Sequence, residues 1–155
     1  MPQNHIRRAH VTEVTAIKSL IDRQVTKNLM LPRALNEIYQ NLRDFFVYFR
    51  DDRVVGCVAL HIVWENLAEV RSLAVEEDYR GLGLGKYLVE RAVEDARELS
   101  IPRVFALTYV PDFFEKLGFR RIDKMELPHQ VWADCVKCHK FPDCGEIPLV
   151  LDLDK

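Results

Sequence analysis

Apolar residues recur at intervals of three and four in three stretches of the chain, and this spacing is typical of amphipathic helices. The first stretch follows Thr12, a residue type that favours the N-cap position, and the second follows Pro32. The third and longest stretch follows Gly85, and a short fourth helix over 112–117 would end at Gly118. The residues of the three apolar stripes are Val14, Ile17, Leu20 and Ile21; Leu35, Ile38, Leu42 and Phe45; and Leu88, Ala92, Ala96 and Leu99.

Stretches rich in β-branched and aromatic residues lie between these helices and predict strands. Residues 46–50 and 54–64 flank Asp51 and Asp52, which suit a tight turn, so they predict a hairpin. Further strands are predicted over residues 6–9, 67–75, 104–108 and 147–153. Helices and strands alternate without an internal repeat or a linker, which predicts a single α/β domain over residues 1–155.

The composition is that of a folded, soluble chain: 48% of the 155 residues are hydrophobic and 30% are charged. The 22 Lys and Arg against 24 Asp and Glu give a net charge of −2, which argues against a strongly basic nucleic-acid-binding surface. No apolar run approaches the roughly 20 residues of a membrane span, and the N-terminus lacks the apolar core of a signal peptide. We therefore expect a cytoplasmic protein without nucleic-acid or membrane partners, whose cysteines are reduced unless they bind metal.

The most informative segment joins a predicted strand to the longest predicted helix. Gly81, Gly83 and Gly85 allow the backbone to turn tightly, and amides at a helix N-terminus favour a phosphate or pyrophosphate. Arg80 and Lys86 can add charge-assisted contacts. A P-loop would require Gly at the position of Arg80, and a dinucleotide fingerprint would space its glycines differently, so neither motif fits. A flexible surface turn is a poor explanation for three glycines in five residues.

Two motifs carry a resemblance to a known family. Arg80, Gly83 and Gly85 fit the pattern Arg/Gln-x-x-Gly-x-Gly/Ala, and a Phe-Phe-Glu-x-x-Gly-Phe string follows over 113–119. In these motifs, and in the order of its elements, the chain resembles the GNAT superfamily of N-acetyltransferases. The resemblance implies a central mixed, mostly antiparallel sheet flanked by helices, with acetyl-CoA as the cosubstrate. The cofactor-binding residues that it implies are Leu73, Ala74, Val75, Arg80, Gly81, Leu82, Gly83, Leu84, Gly85, Lys86 and Phe114.

Two charged residues interrupt the predicted central strand over 67–75. Alternation along the strand predicts that Glu69 and Arg71 share one face of the sheet with Leu73 and Val75. Buried charge is costly unless it is paired or used. A structural ion pair between Glu69 and Arg71 and a functional role for each therefore both stay open.

Acetyl transfer to an amine needs a base for the ammonium proton and a donor for the charge that develops on the thioester oxygen. By resemblance, Glu69 is the general base and the backbone amides over 73–75 are the oxyanion donors. The family's usual general acid is a Tyr, but Phe114 occupies its position, and Tyr109 is the nearest other phenol. Tyr109 could instead be a packing residue, and the thiolate could leave without an acid. His61 could line the acceptor pocket, although a structural role is favoured.

Two longer strings, over 31–39 and 59–75, are similar to short stand-alone GNAT proteins related to the acetyltransferase part of N-acetylglutamate synthase. This resemblance implies glutamate as the acceptor, as in arginine biosynthesis, and a possible homodimer. It also implies that Arg33 and Arg71 bind substrate carboxylates, for which the guanidinium group is suited. The alternatives are that Arg33 is solvated or pairs with Glu69, and that Arg71 merely pairs with Glu69.

A cysteine-rich segment is the second unusual feature of the sequence. Cys135 and Cys138 have the Cys-x2-Cys spacing that favours zinc, and Cys144 or His139 could complete the set. A second knuckle is missing, and adjacent residues do not easily face one ion, so a reduced loop that closes over the acceptor site is favoured. A structural zinc site or a redox disulfide is the alternative. Cys57 alternates within a strand and is expected in the core.

Together these features predict an N-acetyltransferase that moves acetyl directly from acetyl-CoA to the amine of a small molecule, with glutamate as the expected acceptor. No covalent enzyme intermediate is needed. One rival is an acetyltransferase for another amine: another amino acid, a polyamine or a peptide N-terminus. The other rival is a non-catalytic acetyl-CoA-binding sensor, which the Phe at position 114 keeps open. A polyamine would favour acidic pocket walls, whereas an acidic acceptor requires Arg.

Overall fold

The computed structural model describes residues 5–128, 131 and 145–153, and a seven-stranded sheet lies at its centre. The strands are β1 (Ile6–Arg8), β2 (Phe45–Arg50), β3 (Arg53–Trp64), β4 (Leu67–Val75), β5 (Arg103–Thr108), β6 (Arg120–Arg121) and β7 (Ile147–Asp152). The α-helices are α1 (Val14–Thr26), α2 (Leu35–Gln40), α3 (Leu84–Glu98) and α4 (Pro111–Lys116). Short 3-10 turns span Val11–Glu13, Leu42–Asp44, Glu77–Tyr79 and Lys124–Glu126.

The order across the sheet is β1-β2-β3-β4-β5-β7-β6. Every neighbouring pair is antiparallel except β4 and β5, which are parallel. The predicted α/β architecture, a mixed and mostly antiparallel sheet flanked by helices, is therefore confirmed. Among the described residues, no helix has the length and apolar character that crossing a membrane requires.

The hairpin of β2 and β3 forms as the sequence predicts. Asp51 and Asp52 connect the strands with φ angles of 52° and 61°, the left-handed pair that suits a two-residue hairpin turn. The bounds of β4 also match the prediction, whereas α3 ends at Glu98, ahead of the predicted stop at Pro102. Leu99 therefore lies outside the buried stripe and is half exposed. The two residues of β6 are too few for a periodic pattern, and this strand was not predicted.

The first helical segment begins earlier than predicted. Thr12 lies inside the 3-10 turn that precedes α1 and does not cap a helix. The carboxylate of Glu13 accepts hydrogen bonds from the His10 amide (2.7 Å) and from Arg7 Nη1 (2.9 Å). His10 therefore marks the start of this segment, because Glu13 satisfies its amide from within the first turn.

The second helical stripe ends earlier than predicted. Helix α2 stops at Gln40, Leu42 lies in the following 3-10 turn, and Phe45 already belongs to β2. Leu35 is exposed, so Ile38 is the α2 residue that is buried in the core. The aromatic and β-branched run that begins at Phe45 favours strand pairing over a longer helix.

Apolar side chains pack on both faces of the sheet in three clusters. On one face the α3 cluster joins α3 and α4 to the sheet, and it includes Val58, Leu60, Ala68, Val70, Leu88, Ala92, Val104 and Phe114. On the opposite face the α1 cluster joins α1 and α2 to the sheet; its members are Val14, Ile17, Leu20, Ile21, Ile38, Phe45, Val47, Cys57, Ala59 and Ala74. A third group, the β5 cluster, contains Leu67, Phe105, Leu127, Val131 and Val150.

An extra residue in β4 interrupts the alternation of its side chains. Ala59 of β3 lies opposite Arg71, and Cys57 lies opposite Ala74. Two residues of β4 therefore face one residue of β3 between these pairs, which is a β-bulge. Ser72, the first of the two, has a φ of 58°, in the left-handed region.

This bulge corrects the prediction that four residues of β4 share one face. Glu69 and Arg71 lie on the face of the α1 cluster, since Arg71 is opposite Ala59. Leu73 and Val75 pack instead against the α3 cluster on the other face. The extra residue reverses the alternation of side chains in the second half of the strand. Glu69 and Arg71 therefore face one side of the sheet, and Leu73 and Val75 face the other.

Strands β4 and β5 are paired only where both begin. Ala68 pairs with Val104 and Glu69 with Phe105. Beyond these positions the two strands, whose residues are all described, have no further ladder pairs. The sheet therefore opens at its centre beside the second half of β4.

Candidate active site

The glycine loop between β4 and α3 has the turning backbone that its sequence predicts. Gly81 and Gly83 both have a φ of 81°, and Gly83 caps the N-terminus of α3. A Cβ atom at Gly81 would meet no atom within 4 Å, so the loop is open on that side. The Tyr87 amide makes a helical bond to the Gly83 carbonyl (3.1 Å), and the amides ahead of it have no partner within the helix. The loop thus offers free amides and the positive end of a helix to an anion.

Arg80 is fixed by a residue of α1 that was not among the predicted site residues. Its Nη2 donates a hydrogen bond to Oε1 of Gln24 (2.6 Å), and Gln24 is only 6% exposed. The side-chain nitrogen Nε2 of Gln24 also donates a hydrogen bond to the Val75 carbonyl at the end of β4 (3.5 Å). A signal for this residue was present, because Gln24 continues the stripe of Leu20 and Ile21, where a buried polar side chain requires a partner.

The predicted cofactor-binding residues around this loop differ in exposure. Those that are exposed to solvent are Arg80, Gly81, Leu82, Gly83 and Lys86. Those that are buried or partly buried are Leu73, Ala74, Val75, Leu84 and Gly85. The side chains of Ala74 and Leu84 are in the core, so only their backbone groups are available to a ligand. Contacts of all these residues with CoA remain predictions.

Phe114, the last predicted cofactor-binding residue, lies in the α3 cluster. It is 4% exposed and packs edge-to-face on Phe113 and Phe119, with ring centroids 5.1 Å and 5.2 Å apart. Phe113 is partly buried, and a Cβ atom at Gly85 would lie 3.3 Å from its ring. Phe113 is therefore the aromatic residue of this motif that borders the glycine loop.

Four ionisable residues gather on the face of the sheet that α1 and α2 cover. The side chains of Glu69 and Arg71 are both 12% exposed, and Arg71 Nη1 lies 3.6 Å from Glu69 Oε1. His61 of β3 is the ladder partner of Glu69, and its Nδ1 lies 2.8 Å from Oδ2 of Asp44. Asp44 ends the 3-10 turn before β2. These four residues form the polar quartet.

The polar quartet occupies a gap between two apolar clusters on one face of the sheet. Ala59, opposite Arg71, belongs to the α1 cluster. Phe105, the parallel partner of Glu69, belongs to the β5 cluster, as does Leu67 two residues before Glu69. A small set of polar groups with apolar borders is the usual make-up of a small-molecule site.

Arg33 and Tyr109 are the remaining predicted site residues in the described part of the chain. Arg33 precedes α2 by two residues, and its Nη1 lies 3.6 Å from Oε2 of Glu37 in the first turn of that helix. Tyr109 follows β5 and is partly buried, and a Cβ atom at Gly145 would lie 3.9 Å from its ring. The roles of both residues in the reaction stay predictions.

The reduced cysteine-rich loop that the sequence favours, and the alternative zinc site, are not located, because Cys135, Cys138, Cys144 and His139 lie outside the described residues. Within residues 5–128, 131 and 145–153, no group of three His, Cys, Asp or Glu side chains could hold a metal ion. Cys57 is buried in the α1 cluster as predicted, and burial raises the pKa of its thiol to about 12. This thiol is therefore neutral at physiological pH and is not a nucleophile.

Comparisons with curated proteins agree with this arrangement. A family model described as the acetyltransferase (GNAT) family matches residues 16–119. An uncharacterized N-acetyltransferase from Chlorobaculum tepidum is 36% identical over 148 residues, which is 96% of each chain. An amino-acid acetyltransferase from Mycobacterium tuberculosis is 35% identical over 86% of this chain and 78% of the relative. The amino-acid acetyltransferase of Salmonella typhi is much longer, and the match covers 28% of it at 30% identity.

Solved structures show the same fold. A Mycobacterium tuberculosis protein in complex with CoA and a second ligand superposes with a TM-score of 0.84 at 32% identity, over 96% of this chain and 99% of that one. N-acetylglutamate synthase from Neisseria gonorrhoeae, complexed with coenzyme A and N-acetyl-glutamate, superposes with a TM-score of 0.88 at 26% identity. That match covers 97% of this chain and 35% of the longer synthase. With its glycine loop and its opened sheet, the chain belongs to the GNAT family of acetyl-CoA-dependent N-acetyltransferases.

Proposed function

We propose that the protein acetylates the α-amine of glutamate. The observation that carries this proposal is the pair of Glu69 and Arg71, a carboxylate and a guanidinium side by side on the central strand and nearly buried. Buried charges are costly unless they are paired or used, and together they offer one group to an ammonium and one to a carboxylate. The relatives named amino-acid acetyltransferase, and the structural similarity to N-acetylglutamate synthase, support an acceptor of this class.

Glu69 is the proposed general base. It accepts a proton from the acceptor ammonium, so that the nitrogen lone pair can attack the acetyl carbon. Arg71 binds one carboxylate of the acceptor, and Arg33 is proposed for the other. Because the amine and the α-carboxylate of an amino acid share one carbon atom, the 3.6 Å separation of Arg71 and Glu69 suits simultaneous contact with both.

The glycine loop is the proposed site for the pyrophosphate of acetyl-CoA, which when bound supplies an activated thioester. The amides at the start of α3, with the side chains of Arg80 and Lys86, provide hydrogen bonds and positive charge. The backbone over 73–75, which has no ladder partner on β5, is available to the pantetheine arm. Its amides are also the proposed donors to the thioester oxygen.

Tyr109 is the proposed proton donor to the departing thiolate, because Phe114 has no proton to give. Tyr109→Phe should lower kcat while leaving the KM values unchanged, with Tyr39→Phe on the exposed side of α2 as the matched control. Equal kcat for Tyr109→Phe and wild type would mean that the thiolate leaves without this acid.

The first experiment measures CoA release from acetyl-CoA with each common amino acid, with spermidine and with a peptide that has a free N-terminus. We expect selective turnover of glutamate. Selective turnover of spermidine or of the peptide would contradict glutamate as the acceptor. Binding of CoA without turnover of any acceptor would favour the sensor function.

Two substitutions test the assigned roles. Arg71→Gln should raise the KM for glutamate roughly 10- to 100-fold, the range expected for a lost charge-assisted contact, with the KM for acetyl-CoA unchanged. Glu69→Gln should lower kcat by about a hundredfold and retain CoA binding. Arg97→Gln, on the exposed side of α3, is the matched control. A parallel loss of CoA affinity in Arg71→Gln would contradict the acceptor role of Arg71.

A further inference from the structure

His61 and Asp44 lie beside Glu69, and the proposed reaction steps give neither of them a role. We infer that His61, held by Asp44, passes the proton from Glu69 to solvent, so that this pair regenerates the general base after each turnover. The inference rests on the proposed role of Glu69 and on an amine as acceptor, and it does not depend on which amine is used.

The contact between His61 and Asp44 fixes the hydrogen on the imidazole ring. Nδ1 of His61 lies 2.8 Å from Oδ2 of Asp44. An ionised carboxylate only accepts hydrogen bonds, so Nδ1 carries the hydrogen and the neutral ring keeps a lone pair on Nε2. A carboxylate placed in this way orients an imidazole and stabilises its protonated form.

The position of His61 in the sheet brings it next to Glu69. The two are direct partners in the antiparallel ladder of β3 and β4, where Cβ atoms lie about 4.5–5.5 Å apart. The Glu69 side chain is 12% exposed, whereas those of His61 and Asp44 are 28% and 24% exposed. Accessibility to water therefore increases from the proposed base to the histidine and its partner.

Among the described residues, the charged groups on this face around His61 are Asp44, from the 3-10 turn, and Glu69 and Arg71, from β4. The buried residues that α1 and β2 contribute to the same face within the described chain are uncharged: Val14, Ile17, Leu20, Ile21, Gln24, Phe45 and Val47. The described charges around the ring are therefore two carboxylates and one guanidinium.

The reaction releases one proton, which has to pass from Glu69 to solvent before the next turnover. The acceptor ammonium loses two protons as its nitrogen bonds to the acetyl carbon. The carbon–sulfur bond breaks, its electron pair leaves with sulfur, and one proton ends on the thiolate. The other proton moves from nitrogen to Glu69, then to Nε2 of His61 and then to water, with no oxidation or reduction.

The test compares His61→Gln with wild type and with His10→Gln, a matched control at an exposed site in the first helical segment. The acceptor is the one that wild type turns over, so a wrong acceptor contradicts the proposed function and not this inference. We expect His61→Gln to lower kcat at least tenfold without raising either KM, because proton transfer by a positioned side chain contributes at least that much. Imidazole in solution should restore rate to His61→Ala, which a structural defect would not allow.

The double variant Asp44→Asn/His61→Gln should be no slower than His61→Gln alone, because the two residues act as one unit. Nitrogen NMR of the ligand-free protein gives a readout that needs no turnover: the neutral His61 ring should carry its hydrogen on Nδ1. A hydrogen on Nε2, a kcat for His61→Gln within about twofold of wild type, or a failure of imidazole to restore rate would each overturn the inference.

Discussion

Gln24 of α1 and Arg80 of the glycine loop are joined by a hydrogen bond of 2.6 Å. Gln24 is nearly buried, and its amide reaches the Val75 carbonyl as well, so one side chain contacts both the end of β4 and the charged residue of the loop. Helix α1 therefore supports the glycine loop, although it lies outside the loop motif.

Gln24→Ala should weaken the binding of acetyl-CoA. Without its acceptor, Arg80 loses a charge-assisted hydrogen bond, so the KM for acetyl-CoA should rise roughly 10-fold while kcat stays close to that of wild type. Gln40→Ala, at the exposed end of α2, is the matched control. Calorimetric titration with CoA checks the result, and equal affinities for Gln24→Ala and wild type would contradict it.

Gly83→Ala should destabilise the start of α3. Gly83 has a φ of 81°, where a Cβ atom costs about 1–2 kcal/mol, so the free energy of unfolding should fall by that amount. Ser100→Gly, at a φ of 62°, should change the free energy of unfolding in the opposite direction. Urea denaturation of both variants provides the measurement, and a shift of the same sign in both would refute the explanation.

Glu13→Gln should reduce stability at neutral pH and not in acid. Burial alone would raise the pKa of Glu13, but hydrogen bonds from Arg7 and from the His10 amide lower it overall. A lowered pKa means that the carboxylate stabilises the fold above its unfolded pKa and loses this effect as the pH falls through the folded value.

The difference in unfolding free energy between wild type and Glu13→Gln should therefore be roughly 1–2 kcal/mol at pH 7 and should shrink progressively as the pH falls below the unfolded pKa of a Glu carboxyl, about 4.3. Thermal unfolding across this pH range is the measurement. Glu94→Gln, at an exposed ion pair of α3, serves as the control and should show no such pH dependence. A pH-independent loss in Glu13→Gln would indicate lost packing rather than lost charge.

Cys57 should resist alkylation in the native protein. Its thiol is buried and has a pKa of about 12, so almost none of it is thiolate at pH 8. Mass spectrometry after treatment with iodoacetamide should find Cys57 unmodified in buffer and modified in urea. Labelling of native Cys57 at the rate of a free thiol would contradict its burial.

Local chemistry accounts for the parts of the fold that the sequence predicted well. The hairpin turn needs two residues that tolerate a positive φ, and Asp51 and Asp52 are such residues. The glycine loop needs the same freedom at Gly81 and Gly83 and has it there. In both cases the residues with a positive φ are of types that tolerate it, so the sequence itself marks where the turn occurs.

The bulge in β4 had no comparable signal. Ser72 adopts a φ of 58°, yet serine is not a residue type that marks this conformation, and simple alternation therefore placed Leu73 and Val75 on the wrong face. The contact of His61 with Asp44 depends on how β3 meets the turn before β2. Tertiary packing determines this contact, and the residues next to His61 and Asp44 in the sequence do not indicate it.

Because β4 and β5 pair only where they begin, the sheet has an unpaired strand edge at its centre as well as at its two outer strands. Strand edges with free backbone groups are templates on which other extended chains can add. A bound cosubstrate arm would cover this inner edge and would stabilise the protein in proportion to its concentration. Preparations stripped of CoA should accordingly aggregate sooner than saturated ones, because the uncovered edge of β4 can then pair with another chain.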